Sequence, residues 1–291
     1  MTHKQATIIL FVVSIAWGSS YIFMKMMDSY DSLYSIIIFR FGIAFILIFL
    51  VFFKKMLSVD LKTLGYSAIS GTLIFATYLA LMYGIKTTSA STAGFLASTS
   101  VIFVPLFIAI KTRRLPAKKI IIGVVFVMTG MLFLSLGDGL VLTTGSIFCI
   151  VTAIVYACHI LLTNVFIRKV DAFLLGAYQL AYTSIYGVIF SFFTNTFFVP
   201  NKFIEWVPIL GLAIFCSAFA FVMQTIAQQY TSPESTAFLF ALEPIFATIF
   251  AIIFLNEMFT ALEFFGAALI LVGVGIVNLQ PRKPNINYVE T

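Results

Sequence analysis

Apolar runs of about 20 residues recur along the whole chain, separated by short stretches of charge, glycine or proline. Ten runs can be delimited, at roughly 7–27, 33–53, 62–85, 91–111, 118–136, 145–167, 173–198, 206–230, 234–255 and 262–279. At about 1.5 Å per residue, a helix of this length crosses a hydrocarbon core of about 30 Å. A membrane barrel would instead show alternating segments of about 10 residues. The pattern predicts an all-α integral membrane protein of ten transmembrane helices, with loops too short to form a soluble domain. The first run begins at Ile8, contains Trp17 and Lys25 and is followed at once by another. It reads as a retained helix and not a cleaved signal peptide.

The runs also repeat. Thr88 to Phe103 lines up with Thr231 to Phe246 without a gap, with identities at Thr88, Ser89, Phe95, Leu96, Ile102 and Phe103. The same shift of 143 carries Gly123 onto Gly266, Gly130 onto Gly273 and Leu136 onto Leu279. A shift of 139 superposes Trp17 on Tyr156 and Arg40 on Gln179. Five runs therefore make one repeat, predicting a first repeat over 1–139, a second over 140–280 and a tail over 281–291. An odd number of spans forces the second copy to enter from the opposite face. The halves are then inverted around an axis in the membrane plane, with a shared central cavity.

Composition removes the soluble alternatives. With 62% of residues apolar and 10% charged, the chain cannot cover a soluble surface with polar groups. The net charge of +6 does not mark a nucleic-acid surface, because the basic residues cluster between spans. Lys4, Lys54, Lys55, Lys62, Lys111, Arg113, Arg114, Lys118, Lys119, Arg168, Lys169, Arg282 and Lys283 fall on one side if the ten spans alternate. The opposite loops hold Lys25, Lys86 and Lys202, with Asp28, Asp31, Asp138, Glu205, Glu257 and Glu263. The basic side is expected to be cytoplasmic, with both termini there and the chain in the inner or plasma membrane. Cys149, Cys158 and Cys216 lie inside apolar runs and lack the spacing of a zinc site or disulfide framework. No metal or other cofactor is expected.

The sequence W-G-S-S-Y at 17–21, the mid-span E-P at 243–244, the following Glu257 and G-A-A-L-I-L-V-G-V-G at 266–275 resemble the EamA-type members of the drug/metabolite transporter superfamily. The resemblance covers essentially the whole chain. It implies a secondary active transporter, and an exporter more than an importer, that moves a small metabolite such as an amino acid by alternating access through a central cavity.

Several polar residues interrupt the apolar runs, and each carries two readings. Arg40 lies well inside the second run, where a guanidinium costs roughly 2.5–3.5 kcal/mol unless it meets water or a partner. It is either a cavity cation for a substrate carboxylate or phosphate, or a static donor to helix-end carbonyls or a carboxylate. Glu243 is either a proton carrier or amine anchor, or a carboxyl that holds the bend made by Pro244, whose missing N–H frees a carbonyl one turn earlier. Glu257 reads as a solvated loop charge or a gate.

His159 is either a proton-relay group or a satisfied helix-packing donor. If it faces the cavity, Trp17, Tyr21 and Tyr156 give aromatic walls beside it. Tyr78, Tyr83, Gln179, Gln224 and Gln228 line the cavity or bond across helices. Ser89, Ser91, Thr92, Ser98, Thr99 and Ser100 read as close-packing positions that can also bond backbone freed by a bend. The expected partners are a small-molecule substrate and the lipid bilayer, with protons the candidate coupling ion and no nucleic acid.

The competing classes are a passive facilitator or channel, a membrane enzyme and a receptor. The chain shows no H-E-x-x-H, no G-x-S-x-G and no phosphate-cradling loop, which weighs against the enzyme and against ATP-driven transport. A channel or receptor would not need the duplication.

Overall fold

The computed structural model describes residues 1–27, 33–87, 90–135, 143–255 and 260–278, and every regular element among them is helical. Sequence expectations for Asp28, Asp31, Ser89, Asp138, Glu257, Arg282, Lys283 and the tail lie outside the described residues, as do those for the side chains of Tyr21, Lys25, Ser91 and Thr92. The first repeat contributes α1 (His3–Lys25), α2 (Leu33–Val51), the short α3 (Phe53–Met56), α4 (Leu61–Ile85), α5 (Ala90–Ser98), α6 (Ser100–Thr112) and α7 (Lys118–Ser135). The second contributes α8 (Thr144–Phe166), α9 (Ala172–Thr194), α10 (Phe203–Gly211), a π-helical segment (Leu212–Phe219), α11 (Ala220–Gln228), α12 (Pro233–Phe240), α13 (Glu243–Leu255) and α14 (Ala261–Asn278).

Nine spans among the described residues are long and apolar enough to cross a membrane. The run expected at 118–136 corresponds to α7, which opens on Lys118 and Lys119 and is not one of the nine. The outward surface is apolar, with Leu50, Phe192 and Leu271 all more than half exposed.

Polar residues set where the helices begin. Asp60 accepts from the Thr63 amide at 3.1 Å, Asp171 from the Leu174 amide at 2.9 Å and Ser232 from the Ser235 amide at 3.2 Å. Each satisfies a backbone donor that a helix start leaves over. α3, which leads into α4, meets the start of α9, because Lys55 Nζ lies 3.2 Å from Asp171 Oδ2 and Tyr178 donates to the Met56 carbonyl at 2.9 Å.

Three expected spans are not continuous helices. The run at 91–111 breaks at Thr99, and the run at 234–255 breaks at Ala241 and Leu242. The bend assigned to Pro244 is thus a full interruption: Pro244 stands in the first turn of a new helix, where its missing N–H would have had no partner in any case. The break at Thr99 needs no proline, since the Thr99 hydroxyl donates to the Leu96 carbonyl at 2.6 Å and closes the end of α5. The run at 206–230 contains the π segment, which follows Gly211.

Helices that the repeat relates pack against each other in opposite directions. α7 packs on α14, with Gly130 against Gly266 and Gly123 against Val277. A Cβ on Gly130 would stand 2.5 Å from the Gly266 carbonyl oxygen, so only glycine allows this approach. α2 packs on α9 in the same sense, with Gly42 against Ser184 and Gly187 against Ile38. The remaining contacts pair up likewise. α4 packs on α8 as α11 packs on α1, and α5 and α6 pack on α8 as α12 and α13 pack on α1.

Candidate functional site

A cavity of about 80 Å3 lies among α1, α4, α5, α6, α8, α11, α12 and α13. A single water needs roughly 10–15 Å3 of such space, so this volume holds several waters or part of a small solute. Trp17 forms the centre of its aromatic wall, with ring centroids 4.7 Å from Phe240, 5.2 Å from Phe221 and 6.0 Å from Tyr156. The polar lining comes from Ser20, Thr77, Tyr78, Ser98, Ser100 and Glu243, with Thr152 beside Tyr156.

The two helix breaks deliver this lining. Ser100 opens α6 and Glu243 opens α13, and a shift of 143 relates them as it relates the helices they begin. Both therefore bring a helix N-terminus, with its partial positive charge, to the cavity. Glu243 sits where that charge favours an anion, and it interacts electrostatically with Tyr78, Tyr156 and Cys216.

Behind this lining, the π segment organises a second set of contacts. The Cys216 carbonyl accepts from Trp17 Nε1 at 3.0 Å and from Arg40 Nη2 at 3.3 Å. Arg40 Nε also donates to Ser217 Oγ at 2.7 Å, and Nη2 lies 2.9 Å from the Tyr78 hydroxyl. Its guanidinium carbon stands 4.6 Å from the Tyr78 ring centroid, within cation–π range. Arg40 is buried and does not border the cavity; it grips Tyr78, which does.

The other sequence candidates divide by position. Trp17, Tyr78, Tyr156 and Glu243 border the cavity. His159, Gln179 and Gln224 are fully buried beside it. His159 Nε2 is 3.1 Å from Gln179 Oε1, Gln179 Nε2 donates to Thr225 Oγ1 at 3.3 Å, and the imidazole stacks on Tyr156 at 5.7 Å. Tyr83 is not brought to this group: it is 40% exposed and packs on Phe148 near Lys86. Pro244 is next to the lining residue Glu243 but outside the lining itself.

Phe221 and Phe240 escaped the sequence reading because nothing marks them among 34 phenylalanines. The repeat contained the signal, since a shift of 143 carries Tyr78 onto Phe221 and Ala97 onto Phe240, and all four border the cavity. Among the described residues no three His, Cys, Asp or Glu side chains gather as a metal centre would require.

The profile of the EamA-like transporter family matches this chain twice, over residues 4–136 and 143–279. The chain belongs to the EamA-like transporter family. Two uncharacterized transporters of Archaeoglobus fulgidus are similar to it. One is 29% identical, with the match covering 93% of this chain and 85% of that protein; the other is 31% identical, covering 97% and 100%. The uncharacterized transporter YetK of Bacillus subtilis is 22% identical over 80% of this chain and 72% of its own length. A crystal structure with 16% identity superposes at a TM-score of 0.78, covering 95% of this chain and 97% of the other, which shows a shared fold. This EamA-like chain is a multi-pass membrane transporter, and the names of its relatives point to transport and away from enzymic activity.

Proposed function

We propose that this protein is a secondary active transporter, an exporter of a small metabolite such as an amino acid, working by alternating access in the cell membrane. Ten spans form two inverted repeats, over 1–139 and 140–280, with both termini and the tail from 281 in the cytoplasm. The observation that carries the reading is the pair of broken helices: two interruptions at repeat-related positions, before Ser100 and before Glu243, border one cavity. Discontinuous helices meeting near the repeat interface are how transporters of this general plan present polar groups within the bilayer.

The lining suits a solute with an amine and an apolar or aromatic part. Glu243 and the phenols of Tyr78 and Tyr156 accept hydrogen bonds, while Trp17, Phe221 and Phe240 offer ring faces. Arg40, the sequence candidate for a substrate carboxylate, serves here by holding Tyr78 and the π segment. Protons are the coupling ion, with Glu243 as carrier.

Purified protein in proteoliposomes tests this by counterflow of labelled amino acids with and without an imposed pH gradient. Saturable exchange that the gradient accelerates is expected. Flux that does not saturate identifies a channel, and saturable flux indifferent to the gradient identifies a facilitator. For orientation, single cysteines replacing Arg113 or Lys169 should resist impermeant thiol reagents in intact cells, and labelling from outside overturns the assignment.

A further inference from the structure

Beyond the cavity's aromatic wall, the interior keeps polar atoms that nothing satisfies. One turn past Tyr156 along α8 lies His159, and one and two turns past Phe221 along α11 lie Gln224 and Gln228. All three are at least 99% buried. His159 Nδ1, both amide atoms of Gln224, both amide atoms of Gln228 and the Tyr156 hydroxyl lack a hydrogen-bond partner. Gln224 and Tyr156 are close neighbours, yet neither completes a bond of ordinary geometry. A packed interior rarely retains one such group, because a buried donor or acceptor left alone forfeits the bond it had with water. A run of them along two adjoining helices calls for a state in which they are solvated.

The repeat identifies that state. A shift of 139 carries Ser20 onto His159 and Met24 onto Thr163, and a shift of 143 carries Leu81 onto Gln224. Ser20, Met24 and Leu81 all line the observed cavity, toward the ends of α1 and α4 that the proposed topology places outside. In an inverted repeat their counterparts occupy the same depth on the other side of the midplane.

We infer that His159, Gln224 and Gln228 line the cytoplasmic half of the transport path, closed in this conformation, and that their amide and imidazole groups hydrogen-bond an uncharged polar part of the solute and water when it opens. This rests on the transporter reading proposed above. At the far end two long hydrogen bonds bridge α8 and α11 among the described residues, Asn164 Nδ2 to the Gln228 carbonyl at 3.5 Å and Gln229 Nε2 to the Ile167 carbonyl at 3.3 Å, and bonds of that length are easily broken when the helices part.

The test uses the full chain with Cys149, Cys158 and Cys216 replaced, carrying Gln228→Cys or, as a gentler change at a second position, Thr163→Cys. Each is paired with Leu81→Cys on the outer side. Labelling with an impermeant methanethiosulfonate is followed in inside-out and right-side-out vesicles. The inner cysteines are expected to react at least tenfold faster from the cytoplasmic face. Prior attachment of a bulky maleimide to Leu81→Cys from outside should slow them tenfold or more, because a filled outer cavity holds the inner half shut.

Inner cysteines sealed from both faces at both positions overturn the inference. So does reaction that ignores the state of Leu81→Cys, which would mark a static wet pocket. Solute flux measured on vesicles of the unsubstituted protein separates this from the parent reading. State-dependent labelling without saturable flux removes the transport assignment and leaves the inner path, whereas saturable flux with sealed cysteines removes the inner path alone.

Discussion

The third span of the first repeat and its counterpart in the second are close in length but differ in construction. α4 runs unbroken from Leu61 to Ile85, whereas its mate is assembled from α10, the π segment and α11. The wider turn of a π segment disturbs the regular ladder of carbonyls and amides, and such segments concentrate at functional sites. Here Cys216 and Ser217 in the π segment receive Arg40, and Cys216 also receives Trp17. The repeat mate of Arg40 is the neutral Gln179, which bonds to His159 and Thr225 instead. Duplication thus supplies the cavity, and departures from the duplication supply its chemistry. A transporter with two fully equivalent halves would have no built-in difference between its two facing states; the cation and the π segment create one.

Removing the cation should break that comparison most severely. Arg40→Ala is expected to abolish transport while membrane-inserted protein stays near its normal level. Arg40 binds the Tyr78 hydroxyl at the cavity and the Ser217 hydroxyl and Cys216 carbonyl of the π segment behind it, and hydrogen bonds to a charged donor contribute about 1.5–3 kcal/mol each. Arg40→Lys should rescue poorly, because an ammonium cannot reproduce the fork that reaches Ser217 and Tyr78 together. Initial transport rates beside size-exclusion profiles measure both effects. An alanine variant that transports normally would reduce the π contacts to packing.

The two helix breaks offer a sharper version of the same contrast, since Glu243 and Ser100 hold equivalent places and only one can carry a proton. Glu243→Gln is expected to leave substrate exchange at equal pH intact while removing its response to an imposed pH gradient. Ser100→Ala should retain that response. If Glu243→Gln follows the wild-type gradient response, the carboxylate is not the proton carrier.

Much of the architecture was legible because the bilayer imposes length and apolarity on every spanning segment. The shift of 143 even maps the start and end of α6, Ser100 and Thr112, onto those of α13, Glu243 and Leu255. Hydropathy is blind to hydrogen-bond register, so neither the break at Thr99 nor the π segment announced itself. Pro105 and Pro208 lie inside helices that continue past them. Side-chain direction was similarly hidden. In a helix apolar on all sides, sequence gives depth but not the face toward the cavity. Trp17 and Glu243 therefore reach the lining while Arg40, Gln179, His159 and Gln224 stand behind it, and Tyr83 lies away from both.

Where duplicated helices meet, the comparison predicts a stability effect without a binding effect. Gly130→Ala forces a methyl against the Gly266 backbone in the α7–α14 pair, away from the cavity lining. Overpacking of this kind typically costs about 1–3 kcal/mol. The thermal midpoint in detergent should fall while solute affinity in exchange assays holds. A changed affinity would tie this pair to the transport site.

The smallest effect concerns how the two third spans begin. α4 is capped by Asp60, which accepts from the Thr63 amide and hydroxyl, whereas α10 uses Glu205, whose Oε2 accepts from the Asn201 and Lys202 amides at 3.0 and 3.2 Å. The Thr63 hydroxyl chiefly holds the Asp60 pKa below its usual 3.8, against some opposing desolvation and with smaller help from backbone amides and Lys62. Because the folded value is the lower one, the cap's stabilisation is fully present above the unfolded pKa and is lost as pH falls through the folded pKa. Asp60→Ala should therefore lower the thermal midpoint slightly at neutral pH, with the gap from wild type closing below pH 3.8. Asp60→Asn, which still accepts the amide hydrogen bond but does not titrate, should keep most of the neutral-pH stability. Its melting midpoint should also lack the acid-dependent loss specific to this carboxylate. Melting curves of the three proteins from neutral pH into the acid range measure this, and a wild-type-to-alanine gap that stays constant down to the lowest pH would show that Asp60 does not stabilise α4 through its charge.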